Sequence, residues 1–177
     1  LYMVLEWLEG KTLDKLLKEE RHAGASMWPL HRVMRTMAPV AEALDVAHAN
    51  GVAHRDIKPS NVFIAQEDGR DVVKVLDFGI AKDTSSVSEM TKTSMAMGTE
   101  AYMAPEQMNA KHAGPSADQY ALAMTIYECL CGALPWADDE TSAQVVMRKM
   151  MVDFVPLSER RGDLPAHVEK TLLRGLS

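Results

Sequence analysis

The sequence has little of what marks several large classes of protein. Only two of its 177 residues are cysteines, Cys129 and Cys131, and aromatic residues make up 6%. The two cysteines lie two positions apart in a predicted helix, so their side chains point in different directions and indicate neither a disulfide nor a zinc site. They are interpreted as small core residues in a reducing compartment.

Long apolar runs are also missing. No stretch of about 18 apolar residues occurs, so no membrane-spanning helix is predicted, and the first residues lack the basic start of a signal peptide. The formal net charge is −6, from 25 acidic and 19 basic side chains. This charge gives no electrostatic reason to expect nucleic acid or an anionic membrane as a partner. The expectation is a cytoplasmic protein, with a membrane anchor outside this segment left open.

What is present is a mixture of helical and strand patterns. With 47% hydrophobic residues, residues 1–177 are expected to form one domain. A strand-like opening at residues 2–5 is expected to end at Gly10, and Thr12 is predicted to cap the first helix. Two short strands around an Asp68-Gly69 turn, 62–64 and 72–76, predict a β-hairpin. Helical spacing of apolar residues predicts helices over residues 12–20, 29–49, 117–131, 140–151 and 165–176. The predicted fold class is mainly α with one small β-hairpin.

A polar loop before the hairpin carries residue types suited to phosphoryl transfer. It reads His54-Arg55-Asp56-Ile57-Lys58-Pro59-Ser60-Asn61, and Asp77-Phe78-Gly79 follows the hairpin. Phosphoryl transfer needs a carboxylate to orient the attacking hydroxyl, a cation near the transferred group and oxygen ligands for Mg²⁺. Because the hairpin joins the two segments, Asn61 and Asp77 are expected to meet at one edge. A single Asp or Lys in a loop is usually a turn former or a surface charge, but the ordered set favours a catalytic site.

These segments resemble the signature of protein kinases, in which an H-R-D-x-K-x-x-N loop is followed by D-F-G and then by A-P-E. The third piece here is Ala104-Pro105-Glu106. The resemblance covers essentially the whole chain and is closest in form to bacterial serine/threonine kinases of the eukaryotic type. It implies an enzyme that transfers the γ-phosphate of ATP to serine or threonine hydroxyls of protein substrates, with Mg²⁺ as cofactor.

The resemblance also implies roles for individual residues. Asp56 would orient the substrate hydroxyl, and Lys58 would neutralise charge on the γ-phosphate. Asn61 and Asp77 would hold Mg²⁺. Thr99, shortly before the A-P-E segment, would contact the catalytic Asp and Lys.

A regulatory loop is implied as well. Arg55 precedes the catalytic Asp, as in kinases whose activation loop is ordered by a phosphate that pairs with this arginine. The Ser/Thr/Met-rich stretch at residues 83–101 offers Thr91, Thr93 and Ser94 as phosphate acceptors. The alternative is a polar loop that is simply flexible.

The start of the chain resembles the hinge that joins the two lobes of a kinase. This match would place Leu5, Glu6 and Leu8 beside the adenine of ATP, with Phe63 beneath the base. Asp118 matches the family residue that accepts hydrogen bonds from the backbone of the catalytic loop.

Other family motifs do not occur in these 177 residues. There is no G-x-G-x-x-G loop and no V-A-I-K lysine, so the resemblance implies a partial domain, the C-terminal lobe without the sheet of the N-terminal lobe. Glu106 would also lack its usual arginine partner. Because the missing parts position ATP, the isolated chain is expected to be inactive or weakly active, with another kinase or a supplied N-terminal lobe as a partner. The alternative function is a non-catalytic module that binds a kinase, a kinase substrate or a regulator.

Overall fold

The computed structural model describes residue 2 and residues 6–25, 27–78, 100–108, 114–137 and 139–177. This part of the chain contains seven α-helices and one three-stranded sheet. The helices are α1 (Leu13–His22), α2 (Leu30–Ala49), α3 (Pro105–Met108), α4 (Pro115–Cys131), α5 (Ser142–Met151), α6 (Leu157–Arg160) and α7 (Ala166–Gly175). Among these described helices, none has the length and apolar character needed to cross a membrane.

The sheet consists of the predicted hairpin and one additional strand. Strands β2 (Val62–Glu67) and β3 (Arg70–Val75) pair antiparallel, and β1 (Gly10–Thr12) pairs with the other edge of β2. At the turn Asp68 and Gly69 have φ angles of 49° and 74°, which are the two positive values required by a type I′ turn. The hairpin prediction is therefore confirmed.

The third strand corrects the sequence analysis, which expected Gly10 to end the regular structure. Gly10 begins β1 with a φ of 146°, and a Cβ atom at this position would lie 2.1 Å from the carbonyl oxygen of Ile64. Glycine at this position allows the backbones of β1 and β2 to approach closely. The strand was not predicted, because its three residues show no alternation of hydrophobic and polar side chains.

The helical prediction holds for the long helices and fails in detail at α1. Thr12 occupies the N-cap position, but its hydroxyl donates to the Asp14 carboxylate at 2.5 Å and makes no hydrogen bond to the helix backbone. The α2 helix continues through Pro39 and buries Val33, Met37 and Val40 against the core. The short helices α3 and α6 were not predicted, because four residues are too few to show a helical period.

The α4 helix is the centre of the molecule. It contacts α2 on one side and α7 on another, and most of its side chains are buried. Cys129 and Cys131 are free and buried within this helix, as expected. Gly132 ends it in the left-handed conformation, with a φ of 72°, a position that favours glycine. The helix therefore provides a rigid support for the loops that cross it.

Candidate active site

The loop at residues 54–61 is fixed by a buried carboxylate on α4. Asp118 is fully buried, and it accepts hydrogen bonds from the backbone N–H groups of His54 at 2.7 Å and Arg55 at 2.6 Å. The Nε2 atom of His48, near the end of α2, lies 2.8 Å from Oδ2 of the same carboxylate. Asp118 thus connects the start of the loop to two helices, as the sequence predicted for its backbone contacts. The contribution of His48 was not predicted.

His54 connects the loop to the far end of the hairpin. Its Nε2 atom lies 2.8 Å from the carbonyl oxygen of Leu76, and its Nδ1 atom lies 3.3 Å from the backbone nitrogen of Asp56. Because a carbonyl can only accept and an amide N–H can only donate, these partners assign the ring proton to Nε2. The ring also packs against Phe78, with 4.8 Å between centroids. His54 therefore holds the segments before and after the hairpin together.

Asp56, Lys58 and Asn61 form one cluster of side chains. The Lys58 ammonium donates to Oδ2 of Asp56 at 3.0 Å, and the Asn61 amide donates to the same oxygen at 3.1 Å. The Asn61 amide also donates to the backbone carbonyl of Asp56 at 2.7 Å. Two donors converge on one carboxylate oxygen, one of them charged, so the loop itself fixes the orientation of the Asp56 side chain.

Asn61 and Asp77 lie at the same edge of the hairpin, as expected. The backbone N–H of Leu76 donates to the carbonyl of Asn61 at 2.8 Å, just beyond the last residue pair of β2 and β3. Asn61 is buried and Asp77 is exposed. The amide nitrogen of Asn61 is engaged by Asp56, so its oxygen is the side-chain atom suited to a cation.

This edge fits a magnesium ion that is shared with a phosphate ligand. Mg²⁺ is usually bound by one or two protein oxygen ligands together with water and substrate phosphates. Asn61 and Asp77 offer an amide oxygen and a carboxylate. Within the described ranges there is no group of three or more His, Cys, Asp or Glu side chains able to hold a metal. These ranges therefore contain no metal site formed by such side chains alone.

Two residues of the site have unusual backbone conformations. Arg55 and Asp77 have φ angles of 63° and 54°, in the left-handed region that non-glycine residues rarely adopt. Such conformations cost free energy and persist where the surroundings impose them, often at functional sites. Two hydrogen bonds hold the Arg55 backbone in this conformation. Its N–H donates to the Asp118 carboxylate, and its carbonyl accepts a hydrogen bond from the Gln107 side chain.

Three of the residues predicted to border the adenine, Glu6, Leu8 and Phe63, are described and lie at or beside the sheet. Glu6 and Leu8 precede β1, and the Glu6 carboxylate pairs with Lys74 on β3 at 2.7 Å. Glu6 and Glu67 together raise the pKa of the Lys74 ammonium through hydrogen bonds to it. Phe63 is half-buried on β2, opposite Thr12. Glu6, Leu8 and Phe63, which are predicted to border the adenine, therefore lie at or beside the sheet that follows the loop at residues 54–61.

Five predicted site residues, Leu5, Thr91, Thr93, Ser94 and Thr99, lie outside the described residues. Their roles remain predictions.

A second segment, residues 100–107, ends beside the loop at residues 54–61. The Gln107 side chain accepts a hydrogen bond from the backbone N–H of Ala104 at 2.9 Å and donates to the carbonyl of Arg55 at 3.0 Å. One amide side chain therefore connects the two segments directly next to Asp56. The sequence analysis did not select Gln107, because nothing in the sequence indicates its partners.

The same segment is attached to α4 at Tyr102. The tyrosine hydroxyl donates to Oε2 of Glu128 at 2.5 Å, and Arg21 lies 3.6 Å from the other carboxylate oxygen. Burial raises the pKa of Glu128, and burial together with this carboxylate raises the pKa of Tyr102. The pair is therefore stable as a neutral phenol beside a carboxyl group.

Glu106, which was expected to lack its usual arginine, contacts a hydroxyl instead. Ser116 Oγ donates to its Oε1 at 3.1 Å, and the glutamate is only half-buried. Partial exposure lowers the cost of keeping this carboxylate charged.

A lysine that the sequence analysis did not select lies beneath residues 100–103. Lys149 on α5 is 1% exposed, and its ammonium lies 2.7 Å from the carbonyl oxygen of Glu100 and 2.8 Å from that of Met103. It also lies 5.6 Å from the ring centroid of Tyr120 and 5.4 Å from that of Trp136. Burial lowers the pKa of Lys149 to about 7. One feature of the sequence could have indicated its burial: Lys149 follows Val145 by four residues and so lies on the apolar face of α5.

With this geometry in view, the chain can be compared with known proteins. A family model described as the protein kinase domain matches residues 1–173. The chain is 36% identical over 177 residues to the serine/threonine-protein kinase Pkn1 of Myxococcus xanthus, and 33% identical over 177 residues to the serine/threonine-protein kinase PknB of Mycobacterium tuberculosis. Each alignment covers 99% of this chain, but only 24% of Pkn1 and 27% of PknB.

A solved structure shows the corresponding fold. The crystal structure of the Mycobacterium tuberculosis PknI kinase domain superposes with a TM-score of 0.67 at 27% sequence identity, covering 97% of this chain and 55% of that domain. The mainly helical architecture with its small sheet is thus similar to about half of a kinase domain. The chain spans about a quarter of the length of the curated relatives named above.

Proposed function

The chain belongs to the protein kinase family, and we propose that it forms the catalytic half of a serine/threonine protein kinase. In this proposal the complete domain transfers the γ-phosphate of ATP to serine or threonine hydroxyls of protein substrates. Residues 1–177 would correspond to the part from the interlobe hinge to a late helix of the C-terminal lobe.

The observation that carries the proposal is the cluster of Asp56, Lys58 and Asn61 beside Asp77. A carboxylate, an ammonium group and two oxygen ligands lie within one loop and at one hairpin edge. A merely structural loop has no need of this combination, whereas in-line phosphoryl transfer uses each of these groups.

The roles follow from the contacts. Asp56, whose carboxylate is oriented by Lys58 and Asn61, would accept the hydrogen bond of the substrate hydroxyl and take its proton as the new ester bond forms. Lys58, half-buried beside it, would lie close to the transferred phosphoryl group and offset its negative charge. Thr99 would support these two side chains from the neighbouring segment.

Asn61 and Asp77 would hold the magnesium ion of Mg²⁺-ATP. When bound, the ion neutralises the charge that develops on the phosphate oxygens. The contribution of the protein is to hold the two ligands at one edge, through the backbone hydrogen bond between Leu76 and Asn61.

The nucleotide base would lie along the sheet. Leu5, Glu6 and Leu8 would border the adenine, and Phe63 would lie beneath it. Because the adenine and phosphates also need a cover and a second lysine in this family, an N-terminal lobe would complete the site.

A phosphate on the loop before residue 100 would regulate the enzyme. Arg55, whose backbone is fixed by Asp118 and Gln107, would pair with a phosphate on Thr91, Thr93 or Ser94. The loop would then be ordered next to the catalytic carboxylate.

The test is Asp56-dependent phosphate transfer. The chain alone, and the chain joined at its first residue to the N-terminal lobe of PknB, are incubated with Mg²⁺-ATP and casein. The expected result is little transfer by the chain alone and clear transfer to serine or threonine by the fusion. Asp56→Asn should reduce this rate by about a thousandfold or more, while the matched surface change Asp45→Asn should leave it unchanged.

Absence of Asp56-dependent transfer by a folded fusion would contradict the proposal. It would favour instead the second class of function, a non-catalytic module that binds a kinase, a substrate or a regulator. Folding of the fusion is checked by circular dichroism and by its elution volume.

A further inference from the structure

Lys149 is an unusual residue for the interior of this molecule. It is 1% exposed, and lysine is almost never fully buried unless it is paired. Its neighbour Arg148 follows the ordinary pattern and pairs with Glu140 and Asp153 near the surface. The Lys149 amine reaches inward instead, to two backbone carbonyls, and forms no ion pair with a carboxylate of the described residues.

The two carbonyls belong to the first and last residues of one turn. The N–H of Met103 lies 3.3 Å from the carbonyl oxygen of Glu100, so residues 100–103 form a four-residue turn. The Lys149 amine lies 2.7 Å from the Glu100 oxygen and 2.8 Å from the Met103 oxygen. One side chain therefore attaches both ends of this turn to α5.

The number of acceptors around the amine matches its neutral form. A neutral amine has two N–H donors, whereas an ammonium group has three. The two carbonyls accept two hydrogen bonds, and the rings of Tyr120 and Trp136 lie next to the amine, with centroids at 5.6 Å and 5.4 Å. The Tyr120 hydroxyl has no hydrogen-bond partner among the described residues. A third N–H would therefore face aromatic rings and no oxygen acceptor of the described residues.

A charge on this amine is costly while the turn is closed over it. Removal of an ammonium group from water disfavours its charged form, and the attraction of ring faces for a cation offsets only part of this cost. Burial lowers the pKa of Lys149 to about 7, against 10.5 for an ordinary lysine. When the turn moves away, the amine contacts water and its ordinary affinity for the proton returns.

The other charged and titratable groups near the amine do not reverse this balance. Glu100, in the turn, favours the ammonium form of Lys149 and offsets part of the effect of burial. Burial raises the pKa of Tyr120, so this phenol on α4 stays neutral where Lys149 titrates. Glu106 on α3 is bonded to a serine hydroxyl, and Arg148 on α5 is paired near the surface.

We propose that Lys149 is a proton-sensitive latch, which holds the turn at residues 100–103 closed on α5 as a neutral amine and takes up one proton from solvent when the turn opens. The segment it controls lies beside Asp56, because Gln107 joins Ala104, the residue after the turn, to the carbonyl of Arg55. The inference goes beyond the proposed function and does not depend on it, since neither ATP nor a substrate takes part.

The sign of the pH dependence follows from the protons bound by each form. Between about pH 7 and pH 10 the open form binds one more proton than the closed form, so opening becomes less favourable as the pH rises. The equilibrium constant for opening should fall about tenfold per pH unit in this range. Below this range both forms carry the proton, and the constant should no longer change.

The first measurement is amide hydrogen exchange of the 177-residue chain from pH 6 to pH 9, under conditions in which opening and closing are fast relative to exchange. Each rate is divided by that of an unstructured peptide at the same pH, which gives a protection factor. In a peptide covering residues 100–104, protection should rise about a hundredfold between pH 7 and pH 9 and stay flat between pH 6 and pH 6.5. The reporters are the hydrogen-bonded N–H groups of Met103 and Ala104.

The variants separate titration of this amine from other effects of pH. Lys149→Met cannot titrate, so protection at residues 100–104 should be lower than in the unsubstituted chain at pH 9 and should change by less than about twofold with pH. Lys149→Arg remains charged throughout and should also lose the pH dependence. The matched control Lys170→Met removes an exposed lysine on α7 and should keep it. Should the methionine variant fail to fold, Lys149→Gln, which keeps a donor but does not titrate, replaces it.

The second measurement follows the amine directly. In a chain with 13C-labelled lysine, one Cε signal should titrate near pH 7, and this signal should be missing from the spectrum of Lys149→Arg. This readout reports the protonation of Lys149 without any opening of the turn.

Two results would overturn the proposal. Protection at residues 100–104 that has the same pH dependence in the unsubstituted chain and in Lys149→Met would show that the turn opens without a proton. An equal rise of protection in every peptide, residues 54–61 included, would show that the amine is released only by global unfolding. A pH dependence confined to the turn and lost in Lys149→Met, together with a lysine signal that titrates near pH 7, would support the latch.

Discussion

The two segments that meet at Asp56 are held to the helical core by opposite chemistry. Residues 54–55 present backbone N–H groups to a buried carboxylate, Asp118 on α4. Residues 100–103 present backbone carbonyls to a buried amine, Lys149 on α5. Among the described residues, Gln107 links the two segments through its hydrogen bonds with Ala104 and Arg55. The candidate site is therefore assembled from two separately anchored halves.

The comparison shows why the two anchors should differ in strength. Asp118 has three polar contacts, including His48. Lys149 has two carbonyl partners, and burial lowers its pKa to about 7. Two backbone N–H groups depend on one carboxylate, and buried donors without acceptors are costly. The loop at residues 54–61 should accordingly be the more firmly held half.

The largest expected effect comes from removing the carboxylate. Asp118→Ala leaves two buried N–H groups without an acceptor, so the free energy of unfolding should fall by about 3–5 kcal/mol. Urea denaturation of the 177-residue chain measures this change. The exposed Asp45→Ala variant should change the free energy of unfolding by less than about 0.5 kcal/mol, and a similar small effect for Asp118→Ala would mean that the loop is held by other contacts.

Near pH 7, removal of the Lys149 amine should have a smaller effect than removal of the Asp118 carboxylate, and this effect should depend on pH. At pH 6–7, Lys149→Met should cost about 1–3 kcal/mol, because two carbonyls lose a donor while the burial of charge is relieved. Burial lowers the pKa of Lys149 to about 7, against 10.5 for an ordinary lysine. Between these values the folded state binds fewer protons than the unfolded state.

It follows that the unfolding free energy of the unsubstituted chain should rise relative to Lys149→Met between about pH 7 and pH 9.5, by up to about 1.4 kcal/mol per pH unit. Titratable groups that remain in both chains, such as Tyr120, whose pKa burial raises, largely cancel in this difference. A difference that stayed flat across this window would show that Lys149 is not titrating there.

The link between the halves should matter less than either anchor. Gln107→Ala removes one hydrogen bond to each half and should cost about 1–2 kcal/mol in urea denaturation. In a double-mutant cycle with Lys149→Met the two changes should be non-additive by at least about 0.5 kcal/mol, since both act on the same segment. Full additivity would indicate that Gln107 does not transmit the position of the turn.

The smallest effect is expected at the third partner of Asp118. His48→Ala removes one contact but leaves both backbone N–H groups bonded to the carboxylate, so the cost should be about 0.5–1.5 kcal/mol. Thermal denaturation compares it with His31→Ala, an exposed histidine at the start of the same helix. A loss as large as that of Asp118→Ala would mean that His48 holds the carboxylate in place.

The sequence predicts one half of this comparison well and the other poorly. The loop, the hairpin and α4 carry local signals: an ordered polar motif, an Asp-Gly turn and a helix that is apolar on most faces. Asp118 follows from a resemblance that links it to the loop. These features depend on residues that are close together along the chain or that belong to a recognised motif.

Lys149 and Gln107 give no comparable signal. In a sequence pattern, a lysine beside an arginine on an amphipathic helix is read as part of a solvated face, and its burial depends on which distant segment packs above it. Gln107 contacts Arg55, 52 residues earlier in the chain, through a side-chain bond that no periodicity encodes. The strand β1 was not predicted for a related reason. Its three residues form a strand because they pair with β2, and their own sequence shows no strand pattern.

The most direct test of separately anchored halves is hydrogen exchange of both segments in both variants. Asp118→Ala should accelerate exchange in a peptide covering residues 54–61 and leave residues 100–104 largely protected. Lys149→Met should do the reverse. If either variant released both segments to the same extent under native conditions, the site would be one cooperative unit and the account of two anchors would be wrong.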